Sequence, residues 1–110
     1  MPDMAILKMA SANGVGEIIL DKVLDKELGD KCGLYAKVTI TKGAELGYHE
    51  HHGEGESYFV LSGEAVYNDN GVKRTIRPGD KTWTPSGTGH GVDNSQGTED
   101  LVFMALIVKA

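Results

Sequence analysis

Turn-forming residues recur at short intervals along the whole chain, and that spacing limits what it can fold into. The signals are Asn13-Gly14, "GDKCG" at 29–33, Lys42-Gly43, Ser62-Gly63, "NDNG" at 68–71, "PGD" at 78–80, "PSGTG" at 85–89 and "SQG" at 95–97. Most of the runs between them are too short for helices. Several alternate with the period of a strand. In "LYAKVTI", Leu34, Ala36, Val38 and Ile40 share one face, and Tyr35, Lys37 and Thr39 share the other. "SYFVLSGEAVYNDNGVKRTI" predicts strand, tight turn, strand, Asn-Gly hairpin, strand. "LVFMALIV" at 101–108 is apolar on both faces, which predicts a strand covered on both sides. One helical turn is expected around "LDKELGD", 24–30. The 15 glycines among 110 residues fit this picture, being about twice the usual share of roughly 7%. Many short strands joined by tight turns imply an all-β sandwich or barrel. The length suits one domain, residues 1–110, with a single core.

Charge narrows the partners. Sixteen acidic residues against eleven basic ones give a net charge of −5, and the only arginines are Arg74 and Arg77. Nucleic acid and anionic membrane surfaces call for clustered Lys and Arg, so neither is expected. The single cysteine, Cys32, cannot form an intrachain disulfide and reads as an inert thiol. "ASA" at 10–12 resembles a signal-peptidase site. The apolar run before it is only Ala5, Ile6 and Leu7, however, and Asp3 spoils the basic flank. The expectation is a cytoplasmic protein.

The chemistry is concentrated in "YHEHHGEGESYF", 48–59, which holds three of the four histidines and three glutamates. If 45–51 is extended, His49 and His51 point to one face, with Tyr48 and Glu50 on the other. His52 falls out of phase and reads as a rim or surface residue. After "GEG" the chain re-enters a strand in which Glu56, Tyr58 and Val60 share a face. Two imidazoles at i and i+2, together with a carboxylate from the next strand, can converge inside a barrel as transition-metal ligands. The remaining histidine, His90, follows a Pro/Gly loop that permits a sharp return, and it supplies the fourth donor. On an octahedral ion the set His49, His51, Glu56 and His90 leaves two positions open. Glu50 and Glu54 read as surface charges, or as groups that orient a ligand imidazole.

The spacing carries a resemblance. Residues 43–63 read Gly43, His49, His51, Glu56, Gly63, and residues 79–94 read Gly79, Pro85, Gly87, His90, Asn94. In order and interval these resemble the two motifs of the cupin superfamily, separated by a short stretch, 64–78, as in its small single-domain members. The resemblance implies a double-stranded β-helix (jelly-roll) barrel of antiparallel strands. It also implies one divalent transition-metal ion (Mn, Fe, Ni or Zn) on the residues matching the family's ligands, the same four that strand parity selects. A purely structural role for these histidines is disfavoured because no ligand position is missing. Asn94 is explained as well by a turn hydrogen bond as by ligand contact.

The family includes dioxygenases, decarboxylases, isomerases, lyases and non-catalytic binders, so fold alone does not choose among them. The leading reading is a metal-dependent enzyme acting on a small polar or carboxylated molecule. The alternative is a non-catalytic module binding a sugar or effector. Small cupins commonly pair, and the apolar runs at 18–20 and 101–108 exceed the needs of one barrel face, so a homodimer is expected. Tyr58, Val60, Tyr67, Trp83, Phe103 and Met104 are large enough to shape a pocket, and each reads first as core packing. Arg74 and Arg77 read as solvated.

Overall fold

A computed structural model describes residues 6–110. The strands are β1 Ile6–Ala10, β2 Glu17–Leu24, β3 Cys32–Ile40, β4 Glu45–Glu50, β5 Glu54–Ser62, β6 Ala65–Asp69, β7 Val72–Ile76, β8 Lys81–Thr84, β9 Gly89–Asp93 and β10 Leu101–Lys109. The one helical element among the described residues is a 3-10 turn at Lys26–Leu28, inside the stretch where a helical turn is expected. A six-stranded sheet has the order β1-β2-β3-β10-β5-β8, and a four-stranded sheet has the order β4-β9-β6-β7. All pairings are antiparallel.

Asn70 and Gly71 both have positive φ, at 50° and 98°, as a two-residue hairpin between β6 and β7 requires. The turn between β5 and β6 does something different. At Gly63, with φ 84°, the chain leaves the six-stranded sheet for the four-stranded one, and a Cβ there would collide with the carbonyl oxygen of Asp100.

The core lies between the sheets. Val38, Ile40, Leu101 and Phe103 face Tyr67, Ile76 and Val92 across it, and each is almost fully buried. Burying a side chain of the Phe or Leu class contributes about 1.5–3 kcal/mol relative to leaving it exposed, so this face accounts for much of the driving force.

The strand at 101–108 departs from expectation. Leu101, Phe103 and Ala105 are buried, but Val102, Met104 and Leu106 on its other face are only half-buried. Met104 pairs with Phe59, and Leu106 with Ser57, which in turn pairs with Trp83. Phe59 is 40% exposed and Trp83 53%. An apolar strip thus runs across the outside of the six-stranded sheet with no layer of the described residues over it.

Candidate metal centre

Four donors reach one point from three strands and a turn. His49 on β4 is the cross-strand partner of His90 on β9, after a bulge between Leu46 and His49. Gly89 and Gly91 flank His90, and a Cβ on either would press against Tyr48, so the glycines let β4 and β9 close up at the site. Glu56 comes from β5 in the opposite sheet, paired with Thr84 of β8. β4 ends at Glu50, one residue short of the extended run expected from sequence. His51 nevertheless keeps its phase. Its N–H donates to the Thr88 carbonyl at 3.1 Å and its carbonyl accepts from Gly87 N–H at 2.7 Å, so the 87–88 loop continues the ladder by one residue.

The imidazole tautomers are set from behind. His49 Nδ1 lies 2.8 Å from the Gly47 carbonyl oxygen, and His51 Nδ1 lies 2.9 Å from Glu54 Oε2. Both partners only accept, so each Nδ1 carries the proton and each Nε2 presents a lone pair. His90 is fully buried, and its Nδ1 sits 2.8 Å from Thr84 Oγ1 and 3.0 Å from the Tyr67 hydroxyl.

On the forward side, His51 Nε2 and His90 Nε2 are 3.1 Å apart, and each is 3.0 Å from Glu56 Oε1. His49 Nε2 is 3.1 Å from His90 Nε2, and the four donors all lie within 4.8 Å of one another. His51 Nε2 and Glu56 Oε1 both present lone pairs at 3.0 Å, and these are mutually repulsive unless a positive charge sits between them. An ion about 2.1 Å from its ligands separates adjacent donors by about 3.0 Å at right angles and about 3.4 Å at tetrahedral angles. The triangle formed by His51, His90 and Glu56 therefore has the dimensions of one face of an octahedron. The residues fit a divalent transition metal.

Burial and the two neighbouring imidazoles hold the His49 pKa below its usual value, against the opposing pull of the Gly47 carbonyl. That keeps the ring neutral, the form that coordinates. Tyr58 is almost fully buried, and burial, then the Glu56 carboxylate, push its phenol well above the usual value, so it stays protonated. Its hydroxyl lies 3.3 Å from His90 Nε2. A cavity of about 390 Å³ opens from the donors. His49, His51, Glu56 and Tyr58 line one end, and Met9, Leu20, Leu34, Leu46, Phe103 and Ile107 line much of the rest.

A family model described as "Cupin domain" matches residues 36–107. The chain belongs to the cupin family. This cupin is 40% identical over 96 residues to an "Oxalate-binding protein" of Thermotoga maritima, covering 86% of this chain and 78% of the relative. A crystal structure of a predicted oxalate decarboxylase from Thermotoga maritima matches with a TM-score of 0.87 and 34% identity over 98% of this chain and 95% of the other. A conserved protein with a double-stranded β-helix domain from Klebsiella pneumoniae matches with a TM-score of 0.73 and 28% identity, over 86% and 79% of the two chains.

The remaining candidates of this cupin sort by face. His52 is exposed, 3.2 Å from Glu50 Oε1 on the surface, whereas Glu54 backs His51. Trp83 and Met104 lie on the outside of the six-stranded sheet, while Val60 and Phe103 are core. Arg74 sits over the Tyr67 ring at 5.3 Å and Arg77 faces Glu64 at 3.5 Å, both away from the cavity. Asn94 is buried and donates to the Ile40 and Glu99 carbonyls, which makes it a structural clasp. Thr84 and Tyr67 behind His90 were not foreseen. The alternation Thr82, Trp83, Thr84 hints that a hydroxyl faces inward, but only the packing of β6, β8 and β9 shows what it meets.

Proposed function

We propose that this cupin binds one divalent transition-metal ion through His49, His51, Glu56 and His90, and that it is a metal-dependent enzyme acting on a small carboxylated molecule at the open coordination positions. The convergence of four donors, three of them spaced as one face of an octahedron, with the imidazoles hydrogen-bonded on their far sides, carries the reading. The resemblance to an oxalate-binding protein supports a carboxylate as ligand.

When bound, the ion supplies Lewis-acid or redox chemistry to an oxygen-bearing molecule. The chain's own residues do the rest. Glu54 and the Gly47 carbonyl hold the imidazoles in the coordinating tautomer. Tyr58 keeps its proton on a hydroxyl at the edge of the site, where it can donate a hydrogen bond to a ligand oxygen. The apolar wall excludes water from around that oxygen and strengthens each of these contacts.

The relative's name also favours the second reading, a binding module without catalysis. One experiment addresses both. With manganese or cobalt installed, small carboxylates should displace exchangeable water, seen in water relaxation or visible spectra. A tightly held metal insensitive to every added ligand would leave a closed structural site and end the enzyme reading. Turnover of a displacing ligand separates enzyme from binder.

Two copies of the chain would pair through the apolar strip of Phe59, Trp83, Met104 and Leu106, which the described residues leave uncovered. The net charge of −5 and the two scattered arginines favour neither nucleic acid nor an anionic membrane surface. No helix among the described residues is long and apolar enough to cross a membrane.

A further inference from the structure

The cavity is polar at one end only. Its lining includes His49, His51, Glu56 and Tyr58 beside the candidate metal position, and every other lining residue is hydrocarbon or aromatic or, at Met9, a thioether. Among the described residues no Lys, Arg, Ser, Thr, Asn or Gln side chain lines it. The two arginines lie elsewhere, engaged with Tyr67 and Glu64.

Consider oxalate in this space. Chelating through one oxygen of each carboxylate, it would leave its other two oxygens to be accommodated in a cavity whose remaining described lining is apolar. Among the described lining residues the one neutral donor is the Tyr58 hydroxyl, which is already hydrogen-bonded to the Glu56 carboxylate and would have to turn from it to serve an outer oxygen. An ionised oxygen facing hydrocarbon without a partner is costly to bury, and water kept there to solvate it would itself lie against apolar side chains. At about 390 Å³ the volume falls at the low end of small-molecule sites, which run to about 300–1,000 Å³, and it exceeds what a metal-chelating head alone would fill.

We propose that the molecule taken by this site is a monocarboxylate that chelates through an adjacent oxo or hydroxyl oxygen and carries an aliphatic body of several carbons. Its body packs on Met9, Leu20, Leu34, Leu46 and Ile107, and Tyr58 donates to its head. This rests on the metal-centre reading and adds the substrate class. Oxalate is then a ligand of the head position only, weaker than a branched 2-oxo acid despite its two charges.

The test uses the full-length protein loaded with manganese. Oxalate, pyruvate, 2-oxobutanoate, 2-oxopentanoate and 4-methyl-2-oxopentanoate are titrated, and displacement of ion-bound water is followed by proton relaxation. Each methylene buried on the wall should tighten binding about fourfold until the cavity is full. The heat capacity of binding should become more negative along the series, and the branched acid should outbind oxalate. Leu34→Ala should flatten the dependence on chain length at unchanged metal content. Affinity that is level or falls with chain length, with oxalate tightest, overturns this inference and leaves the metal centre standing. The same holds if Leu34→Ala keeps its metal and the full slope. If manganese is retained but neither oxalate nor any 2-oxo acid displaces water, the site is closed, and the enzyme reading falls together with this inference; if no manganese is retained, the metal-centre reading itself fails and takes this inference with it.

Discussion

Glu54 and Glu50 each sit against a histidine, and truncating them should have very different effects. The Glu54–His51 contact is 2.9 Å, with the imidazole 9% exposed and the carboxylate 29%. The Glu50–His52 contact is 3.2 Å, with the partners 55% and 71% exposed. A hydrogen bond to a charged group contributes about 1.5–3 kcal/mol net. The partial exposure of Glu54 places it at the lower end, because solvent screens the carboxylate. Losing about 1.5 kcal/mol of orientation and charge behind His51 corresponds to about tenfold weaker metal binding, the lower bound of what such supporting groups contribute. Glu54→Ala should therefore lower metal affinity about tenfold. Glu54→Gln, which keeps an acceptor oxygen, should lower it about threefold, and Glu50→Ala should change it less than twofold. Competition against a chromogenic chelator at fixed neutral pH measures all three, with thermal melts of the metal-free proteins to set aside folding defects. A Glu54→Ala protein within twofold of wild type would refute the argument, as would a Glu50→Ala protein that loses as much.

The crowded histidines should separate cleanly by elemental analysis. His49→Ala, His51→Ala and His90→Ala each lose most bound metal, and His52→Ala keeps it. The reverse result for His51 and His52 would mean that the 87–88 loop does not hold the register. For pH, burial and flanking imidazoles lower the folded pKa of His49 below 6.5, so in the metal-free protein the unfolded state takes up its proton first. The contribution of His49 is complete above that value and is lost as pH falls towards the lower folded pKa. Denaturant midpoints should drop over that acid window and drop less in His49→Gln. Bound metal should be released in the same direction, because protons compete for Nε2. Light scattering should report a dimer for the wild type and a monomer for Phe59→Lys or Trp83→Lys. A monomeric wild type at micromolar concentration would remove the pairing proposal.

The four donors were legible because each lies where local rules suffice. His49 and His51 obey strand parity even though β4 ends between them, because the backbone of 87–88 carries the ladder one residue further. Glu56 shares its phase with Tyr58 and Val60, and His90 is the only histidine left. The all-β reading followed from turn residues whose dihedral needs are local, such as Asn70 and Gly71. What stayed hidden depends on which sheet a strand joins. Sequence shows a turn at Gly63 but not that β5 and β6 part company there, so it could not place Tyr67 and Thr84 behind His90. The outer face of β10 was read as covered because apolar residues flank both sides of the run. Hydrophobicity reports a face that wants covering, not what covers it. Glu54 and Glu50 were alike in sequence, and only the bend at 51–53 turns one inward.

The donor set spans the two layers of the barrel. His49 and His90 ride on the four-stranded sheet, Glu56 on the six-stranded one, and His51 on the turn that leads from one to the other. An ion held by all four would tie the lips of the barrel together. Its loss would leave the β4–β5 corner held by backbone hydrogen bonds such as those between His51 and the 87–88 loop. The same clasp would gauge what may enter: a guest too bulky for the closed mouth would compete with a coordination bond, whereas without the ion the shared core alone holds the two sheets together.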